Sequence, residues 1–206
     1  MDWHNTSGAA SFTWRKNQES SWVDLLKDFF DKCNIKFQDV TEDSAYFDKD
    51  IDFILEEWES KLNIELKVDN WISKTGNFFF EILSNERKSS KWCFLLSEAD
   101  LFFYLDSEKF ICYVFPLEKI QELFFLIRDG YLKKWNIKQF DKDFKLHSTH
   151  TVNYNNWEKN YQHTTIGRTV NKDFFEKAMT KYEIKFRKID IKNNVVTYQD
   201  LLDLTK

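Results

Sequence analysis

Residues 51–69, IDFILEEWESKLNIELKVD, carry the clearest structural signal in the sequence. Asp52–Trp58 and Leu62–Asp69 have the residue pattern of strands, and the short polar segment Glu59–Lys61 between them predicts the turn of a β-hairpin. Side chains alternate between the two faces of a strand. In the second strand one face is aliphatic, with Leu62, Ile64, Leu66 and Val68, and the other is polar, with Asn63, Glu65, Lys67 and Asp69. The hairpin therefore predicts a sheet with a buried aliphatic side.

Elements on both sides of this hairpin predict a mixed sheet. Apolar residues at helical spacing indicate a helix over Ser20–Cys33, and Ile35–Val40 resembles a short strand. Asn77–Leu83 predicts another strand, and its three consecutive Phe residues are typical of a central strand that is buried on both faces. We expect these strands to belong to one sheet.

The second half of the chain continues the mixed pattern. Its predicted elements are strands at Leu101–Leu105 and Phe110–Phe115, a helix from Pro116 to Asp129-Gly130, a helix capped by Asn171, a strand at Glu183–Ile191, and Val195–Tyr198 as its candidate pairing partner. The intervening region, Tyr131–Gly167, is polar, aromatic and poorly periodic. This order predicts an α/β or α+β fold with a mixed central β-sheet flanked by helices.

Composition favours a single folded domain. Apolar residues make up 42% of the 206 residues and aromatic residues 18%, which is too apolar for a disordered chain. Only 4 Gly and 1 Pro are present, so flexible linkers are not expected. We interpret residues 1–206 as one domain, with a core over about 20–127 and a C-terminal elaboration over about 128–206.

Chain-level features limit the expected location and partners. No apolar run reaches the roughly 18 residues that span a bilayer, and the N-terminal residues lack a signal-peptide pattern. Cys33, Cys93 and Cys112 are odd in number and have no C-x-x-C spacing, which favours reduced, buried thiols and a cytoplasmic location. The formal net charge of −4 disfavours a broad basic surface for nucleic acid but allows a local basic rim.

The candidate chemical groups lie in the hairpin. Glu65 and Lys67 are two residues apart on one strand, so their side chains leave the same face about 7 Å apart. The hairpin brings Asp52 alongside them. Buried charges beside an apolar core are costly without partners, and a metal ion and a phosphate would be such partners. Two carboxylates and a backbone carbonyl, for which Leu66 is the candidate, suit Mg²⁺ or Mn²⁺.

This pattern has a simple alternative, because a Glu-x-Lys pair on the solvated face of a strand is common. Asp48 and Asp50 are rival ligands, and Asp52 is preferred because an apolar strand follows it directly. Glu81 follows three Phe residues on a strand predicted to be buried, so its carboxylate needs a partner. Lys67 is the candidate partner for Glu81.

Four groups of residues follow one another along the predicted core. They are Ile51–Ile54, Ile64–Asp69, Thr75–Asn77 with Glu81, and the later set Trp92–Phe94, Ser97, Ala99-Asp100 and Tyr104. This order resembles the core of the PD-(D/E)xK nuclease superfamily, in particular its small phage-type and Holliday-junction-resolvase-like members. The resemblance implies a restriction-endonuclease-like core, a divalent metal held by Asp52 and Glu65, and Lys67 as the catalytic lysine.

Several features depart from this pattern or are weaker. No Pro precedes the Asp of the first strand. The superfamily often adds a carboxylate from its first helix, for which Glu19 is a candidate and Asp24 an alternative, although a surface or capping role is the simpler interpretation of Glu19. Thr75–Asn77 is interpreted most simply as a turn. His147 and His150 have the spacing of a helical metal site, but their neighbours do not favour a helix.

The sequence therefore predicts a Mg²⁺- or Mn²⁺-dependent nuclease acting on DNA, with RNA open as an alternative substrate. Two other classes stay open: a non-catalytic nucleic-acid-binding or phage-encoded inhibitory protein on the same fold, and a structural interaction protein. Arg87, Lys88 and Lys91 are candidates to line a groove for the phosphate backbone, although solvated loop charge is the simpler interpretation. The pattern sets no oligomeric state, and a homodimer is among the states it allows.

Overall fold

The computed structural model describes residues 21–83, 94–128, 144–153 and 161–206. Its first helix, α1, covers residues 21–32. The further elements are β1 (Lys36–Asp39), α2 (Ser44–Phe47), β2 (Phe53–Glu57), β3 (Ser60–Asp69), α3 (Ile72–Thr75), β4 (Asn77–Leu83), β5 (Leu101–Asp106), β6 (Ile111–Pro116), α4 (Leu117–Arg128), β7 (Phe144–Asn153), β8 (Tyr161–Asn171), α5 (Lys172–Lys181), β9 (Arg187–Asp190) and α6 (Tyr198–Leu202).

Six strands form the central sheet in the order β1-β2-β3-β5-β6-β9. The pair β3–β5 is parallel, and the other four neighbouring pairs are antiparallel. Helices pack on both faces, which confirms the predicted mixed sheet flanked by helices. The predicted hairpin is also present, with its turn at Trp58-Glu59 because Glu57 pairs with Ser60.

One face of the central sheet packs against α1 and α6 and is apolar. Phe30 of α1 is fully buried, and its ring lies 5.6 Å from that of Phe53 and 6.1 Å from that of Phe103. Ile64 is fully buried in this core, and Leu66 and Val68 pack against it. Each fully buried side chain of this size stabilises the fold by roughly 1.5–3 kcal/mol. The aliphatic face of β3 therefore packs against α1, which confirms the predicted burial of this face.

The opposite face packs against a second sheet, ordered β4-β8-β7, together with α4 and α5. The expectation that β4 is a central strand is wrong, because within the described residues it pairs only with β8 and is an edge strand. Phe78 and Phe80 enter an aromatic core between the layers, with the Phe78 and Tyr104 ring centroids 5.0 Å apart. Phe79 lies against Gly167, where an added Cβ would lie 2.4 Å from its ring.

Two segments differ from their sequence-based predictions. The region Tyr131–Gly167, expected to be irregular, contains all of β7 and part of β8, which pair from Phe144–Val170 to Asn153–Tyr161. Few apolar residues alternate there, so the backbone ladder leaves no period of two in the sequence. Val195–Tyr198 does not pair with β9; a capping box between Thr197 and Asp200 starts α6 instead.

Other predictions agree with the structure. Asn171 caps α5 by accepting the Phe174 N–H at 3.0 Å. Cys33 and Cys112 are buried free thiols, while Cys93 and the predicted helix stop at Asp129-Gly130 lie outside the described residues. In the described ranges, none of the helices combines the length and apolar character that crossing a bilayer requires.

Candidate active site

Asp52 lies at the point where the β2–β3 ladder ends. The last regular pair is Phe53–Ile64, and the Asp52 N–H donates to the Ile64 carbonyl at 2.8 Å. Its carboxylate then accepts the Leu66 N–H at 2.7 Å, in place of a backbone acceptor that β2 no longer supplies. Because the N–H and C=O of one residue leave a strand toward the same edge, the Leu66 carbonyl faces this edge too. The Asp52 carboxylate is thereby fixed beside β3.

Glu65 and Lys67 lie on the face of β3 opposite Ile64. Glu65 pairs with Phe102 and Lys67 with Tyr104 across the parallel β3–β5 ladder, and both aromatic partners belong to the core between the two sheets. Two charged side chains thus emerge beside an aromatic core. Their spacing on one face follows directly from the sequence, as expected.

The Glu65 carboxyl is the least satisfied of these groups. Within the described part of the chain it has neither a hydrogen bond nor an ion-pair partner. Burial raises the pKa of Glu65 well above its ordinary value, repulsion from Asp52, Asp50 and Glu81 raises it further, and Lys67 opposes the shift. A half-buried carboxyl surrounded by other carboxylates is a group that a cation would stabilise.

The pKa of Asp52 is also raised. Burial raises the pKa of Asp52 to about 6, against the opposing hydrogen bond from the Leu66 N–H and with added repulsion from Asp50 and Asp39. Its carboxyl is therefore partly protonated near neutral pH unless a cation compensates its charge.

Lys67 contacts the second sheet. Its Nζ lies 3.2 Å from Glu81 Oε2, which confirms the predicted partner of Glu81. Both side chains are partly exposed, at 33% and 23%, so the pair is accessible to a ligand. The predicted turn at Thr75–Asn77 places Glu81 here: Gly76 ends α3 in the left-handed conformation, with φ of 66°, and β4 begins at the next residue.

Asp50, a rival ligand in the sequence, joins this group. Its φ is 54°, a left-handed conformation that Asp tolerates better than most residues. Burial raises the pKa of Asp50, repulsion from Glu81 adds to the effect, and Lys67 opposes it. Asp48, in contrast, is exposed at the end of α2.

A cleft of about 750 Å³ opens beside Asp52 and Lys67. The described residues that line it are Val23, Asp24, Lys27, Asp39, Thr41, Glu42, Asp43, Asp52, Leu66, Lys67 and Val68. Lys27 at its rim binds Asp39 at 2.5 Å and Asp24 at 3.6 Å, so the alternative carboxylate of the first helix is an exposed rim residue. Glu19, Arg87, Lys88 and Lys91 lie outside the described residues.

A polar network that the sequence analysis did not anticipate holds β4 beside the central sheet. The buried Tyr104 hydroxyl donates to Asp69 and accepts the Phe79 N–H at 2.8 Å. Nearby, the buried Asp106 accepts from Ser73 Oγ at 2.6 Å. The available signal was a Tyr within the apolar strand Leu101–Leu105, since a buried hydroxyl needs a partner. This network supports the strand that carries Glu81.

The donor set limits the metal that fits. Across the described residues, no group of three or more His, Cys, Asp or Glu side chains is arranged to hold a metal ion. His147 and His150 lie on strand β7, so a helical pair is not formed. Asp52 and Glu65 supply two carboxylates, which suits Mg²⁺ because this ion keeps several waters and often binds through one or two carboxylates and substrate phosphates. Mg²⁺ can therefore fit this site although the protein supplies only some of its ligands.

Comparisons with protein-family models, with curated proteins and with solved structures find no match for this chain.

Proposed function

We propose that this chain is a Mg²⁺- or Mn²⁺-dependent nuclease that hydrolyses phosphodiester bonds of DNA. The observation that carries the proposal is the arrangement of Asp52 beside Glu65 and Lys67 of β3, with Asp52 and Lys67 lining an open cleft. The half-buried carboxyl of Glu65 has neither a hydrogen bond nor an ion pair among the described residues, and Asp52 repels it. Without a cation, this repulsion lowers the stability of the folded chain. Such a cost is typical of a binding site.

Each residue has a distinct role in this proposal. Asp52 and Glu65, with the Leu66 carbonyl, would hold the ion, which when bound would polarise the scissile phosphate and lower the pKa of a water. Lys67 would stabilise negative charge that develops on the phosphate or orient the attacking water. Glu81 would keep the Lys67 ammonium in position through their 3.2 Å contact.

A cleavage assay on single-stranded, duplex and branched DNA and on RNA tests the proposal. Wild-type protein should cut with Mg²⁺ or Mn²⁺ and stop in excess chelator, whereas Ca²⁺ should bind without supporting turnover. Mg²⁺ should also raise the midpoint of thermal unfolding, because a ligand that binds only the folded chain stabilises it. Undiminished cleavage in excess chelator would refute the metal site.

Lys67→Ala separates chemistry from binding. We expect cleavage to fall by about 100-fold or more, as for loss of a contact to transition-state charge, while DNA affinity changes little. Lys61→Ala is the matched control, because Lys61 lies on the same strand and pairs with Glu56 at 2.8 Å, but at the hairpin end. Equal activity of the two variants would exclude Lys67 as the catalytic lysine.

One observation counts against DNA binding in the cleft and favours a second candidate, a non-catalytic inhibitory protein on the same fold. Around the cleft, the carboxylates of Asp24, Asp39, Glu42, Asp43 and Asp52 outnumber the ammonium groups of Lys27 and Lys67. This rim repels phosphates when no cation is bound. If the wild type neither binds nor cuts any of the four substrates with either metal, this candidate replaces the enzyme.

A further inference from the structure

Trp71 presents an exposed ring on a fixed backbone. Trp71 is the second residue after the end of β3, and its side chain is 62% exposed. Its N–H donates to Asp69 Oδ1 at 2.6 Å, and its carbonyl accepts from the Thr75 N–H at 2.8 Å and from Thr75 Oγ1 at 3.0 Å. Because the backbone is already ordered, the indole can bind a flat partner with little further loss of conformational entropy.

Lys74 places a positive charge over this ring. Its Nζ lies 5.2 Å from the indole centroid and 2.7 Å from Glu108 Oε1. The ion pair is exposed, with 55% and 41% of the two side chains accessible, and exposed pairs of this kind stabilise a fold little. Lys74 can therefore exchange Glu108 for a phosphate. An aromatic face beside a cation is the combination that binds single-stranded nucleic acid.

Trp71 is also close in the chain to the candidate active site. Trp71 lies four residues after Lys67, so their Cα atoms are at most about 13 Å apart. Asp69 links the two positions, since it accepts both the Trp71 N–H and the Tyr104 hydroxyl beneath the site. A nucleic-acid strand in the cleft could thus reach Trp71 within a few nucleotides.

We propose that Trp71 stacks on an unpaired base of the substrate while Lys74 contacts a neighbouring phosphate. The bases of an intact duplex already stack on one another, so an exposed indole selects single strands, overhangs or splayed ends. This inference rests on the proposed nuclease function and narrows its substrate to nucleic acid with an unpaired segment near the scissile bond.

Binding of labelled oligodeoxynucleotides, followed by fluorescence anisotropy in Ca²⁺ and in chelator, tests the inference without cleavage. The probes are a single strand, the same sequence as a blunt duplex, and that duplex with a short overhang. Trp71→Ala should weaken binding of the single strand and the overhang roughly 5- to 150-fold. Trp71→Phe should retain most of the affinity, because a phenyl ring still stacks.

Two controls isolate the stacking contact. Trp58→Ala removes a ring that is 98% exposed but lies at the hairpin turn, at the other end of β3, and should leave affinity unchanged. Lys74→Gln should lower affinity for all probes and reduce the salt dependence by about one phosphate contact. Lys119 on α4 also forms an exposed ion pair, so Lys119→Gln is the control and should leave both the affinity and its salt dependence unchanged.

The outcomes are separable from those of the nuclease assay. If Trp71→Ala binds single strands as tightly as Trp58→Ala, or weakens blunt-duplex binding equally, the stacking inference is wrong even where the wild type cleaves. If binding depends on Trp71 but no substrate is cut, the stacking inference holds and the nuclease proposal fails. Absence of any binding by the wild type overturns the inference.

Discussion

The two faces of β3 meet very different surroundings, although their side chains alternate along one strand. Toward α1, Ile64 is fully buried, and Leu66 and Val68 pack against the same apolar core. Toward the second sheet, Lys67 binds Glu81 and Asp69 binds Tyr104, while Glu65 has no such partner within the described residues. The first face depends on buried area, and the second depends on specific polar partners.

This difference indicates where function resides. Apolar burial is non-directional and roughly proportional to area, so the α1 face serves stability. Buried polar groups stabilise only when each has its partner, so an unmatched carboxyl on the other face lowers stability. A cost of that kind is typical of binding and catalytic sites. Three substitutions test this contrast.

Phe103→Ala should cause the largest change, on the apolar face. Phe103 is fully buried against Phe30, and replacing such a ring by Ala lowers the free energy of unfolding by about 3–5 kcal/mol. Phe47→Ala, at a residue that is 57% exposed, should change it far less. Urea unfolding measures both variants. Similar losses for the two Phe residues would contradict the assignment of this face to the core.

Asp52→Asn should stabilise the metal-free protein at neutral pH while abolishing cleavage. The pKa of Asp52 is raised in the folded state, to about 6, so its ionisation opposes folding. Its contribution to stability is greatest below the unfolded pKa near 4, is lost as pH rises toward 6, and stays lost above it. The variant should therefore gain about 2–3 kcal/mol over wild type at pH 7 and little at pH 4.

Unfolding in chelator at both pH values measures this gain as the difference between variant and wild type. That difference cancels carboxylates such as Glu56, whose pKa is lowered to about 2 by Lys36 and Lys61 and which titrates in the opposite sense. Asp48→Asn, at an exposed position, is the control. A variant that is less stable than wild type at pH 7 would show that Asp52 is a structural residue.

Tyr104→Phe should give the smallest of the three effects. It removes a hydroxyl that serves Asp69 and the Phe79 N–H, so the free energy of unfolding should fall by about 1–2 kcal/mol. Tyr113→Phe is a matched control, because Tyr113 pairs directly with Tyr104 across β5–β6 and its hydroxyl makes no hydrogen bond to another described residue. Equal stability of the two variants would contradict a structural role for the network.

Local sequence patterns predicted many of the helices and strands. The hairpin, α1, β5, β6 and α5 each have a clear period or cap in the sequence, because neighbouring residues decide them. The pairing of Lys67 with Glu81 was also predictable, since a carboxylate after three Phe residues needs a partner. The roles assigned to Asp52, Glu65 and Lys67 remain predictions for the experiments above.

The layer to which each strand belongs was not predictable in this way. A run such as Phe78–Phe80 indicates burial but not which sheet buries it, and β4 proved to be an edge strand of the second sheet. The β7–β8 ladder was missed because its backbone hydrogen bonds leave little trace in side-chain periodicity. The first error concerns contacts between residues far apart in the chain, whereas the second concerns two consecutive strands with no clear alternation of apolar side chains.

The sequence by itself determined that Glu65 and Lys67 share one face of a strand, because alternation is a property of the extended backbone. Only the tertiary structure decided what meets them there. The end of β2 turns the Asp52 carboxylate to the Leu66 N–H, the left-handed backbone at Asp50 adds a second carboxylate, and the second sheet brings Glu81 to Lys67. These contacts depend on how separate elements pack, and no local sequence pattern predicts that packing.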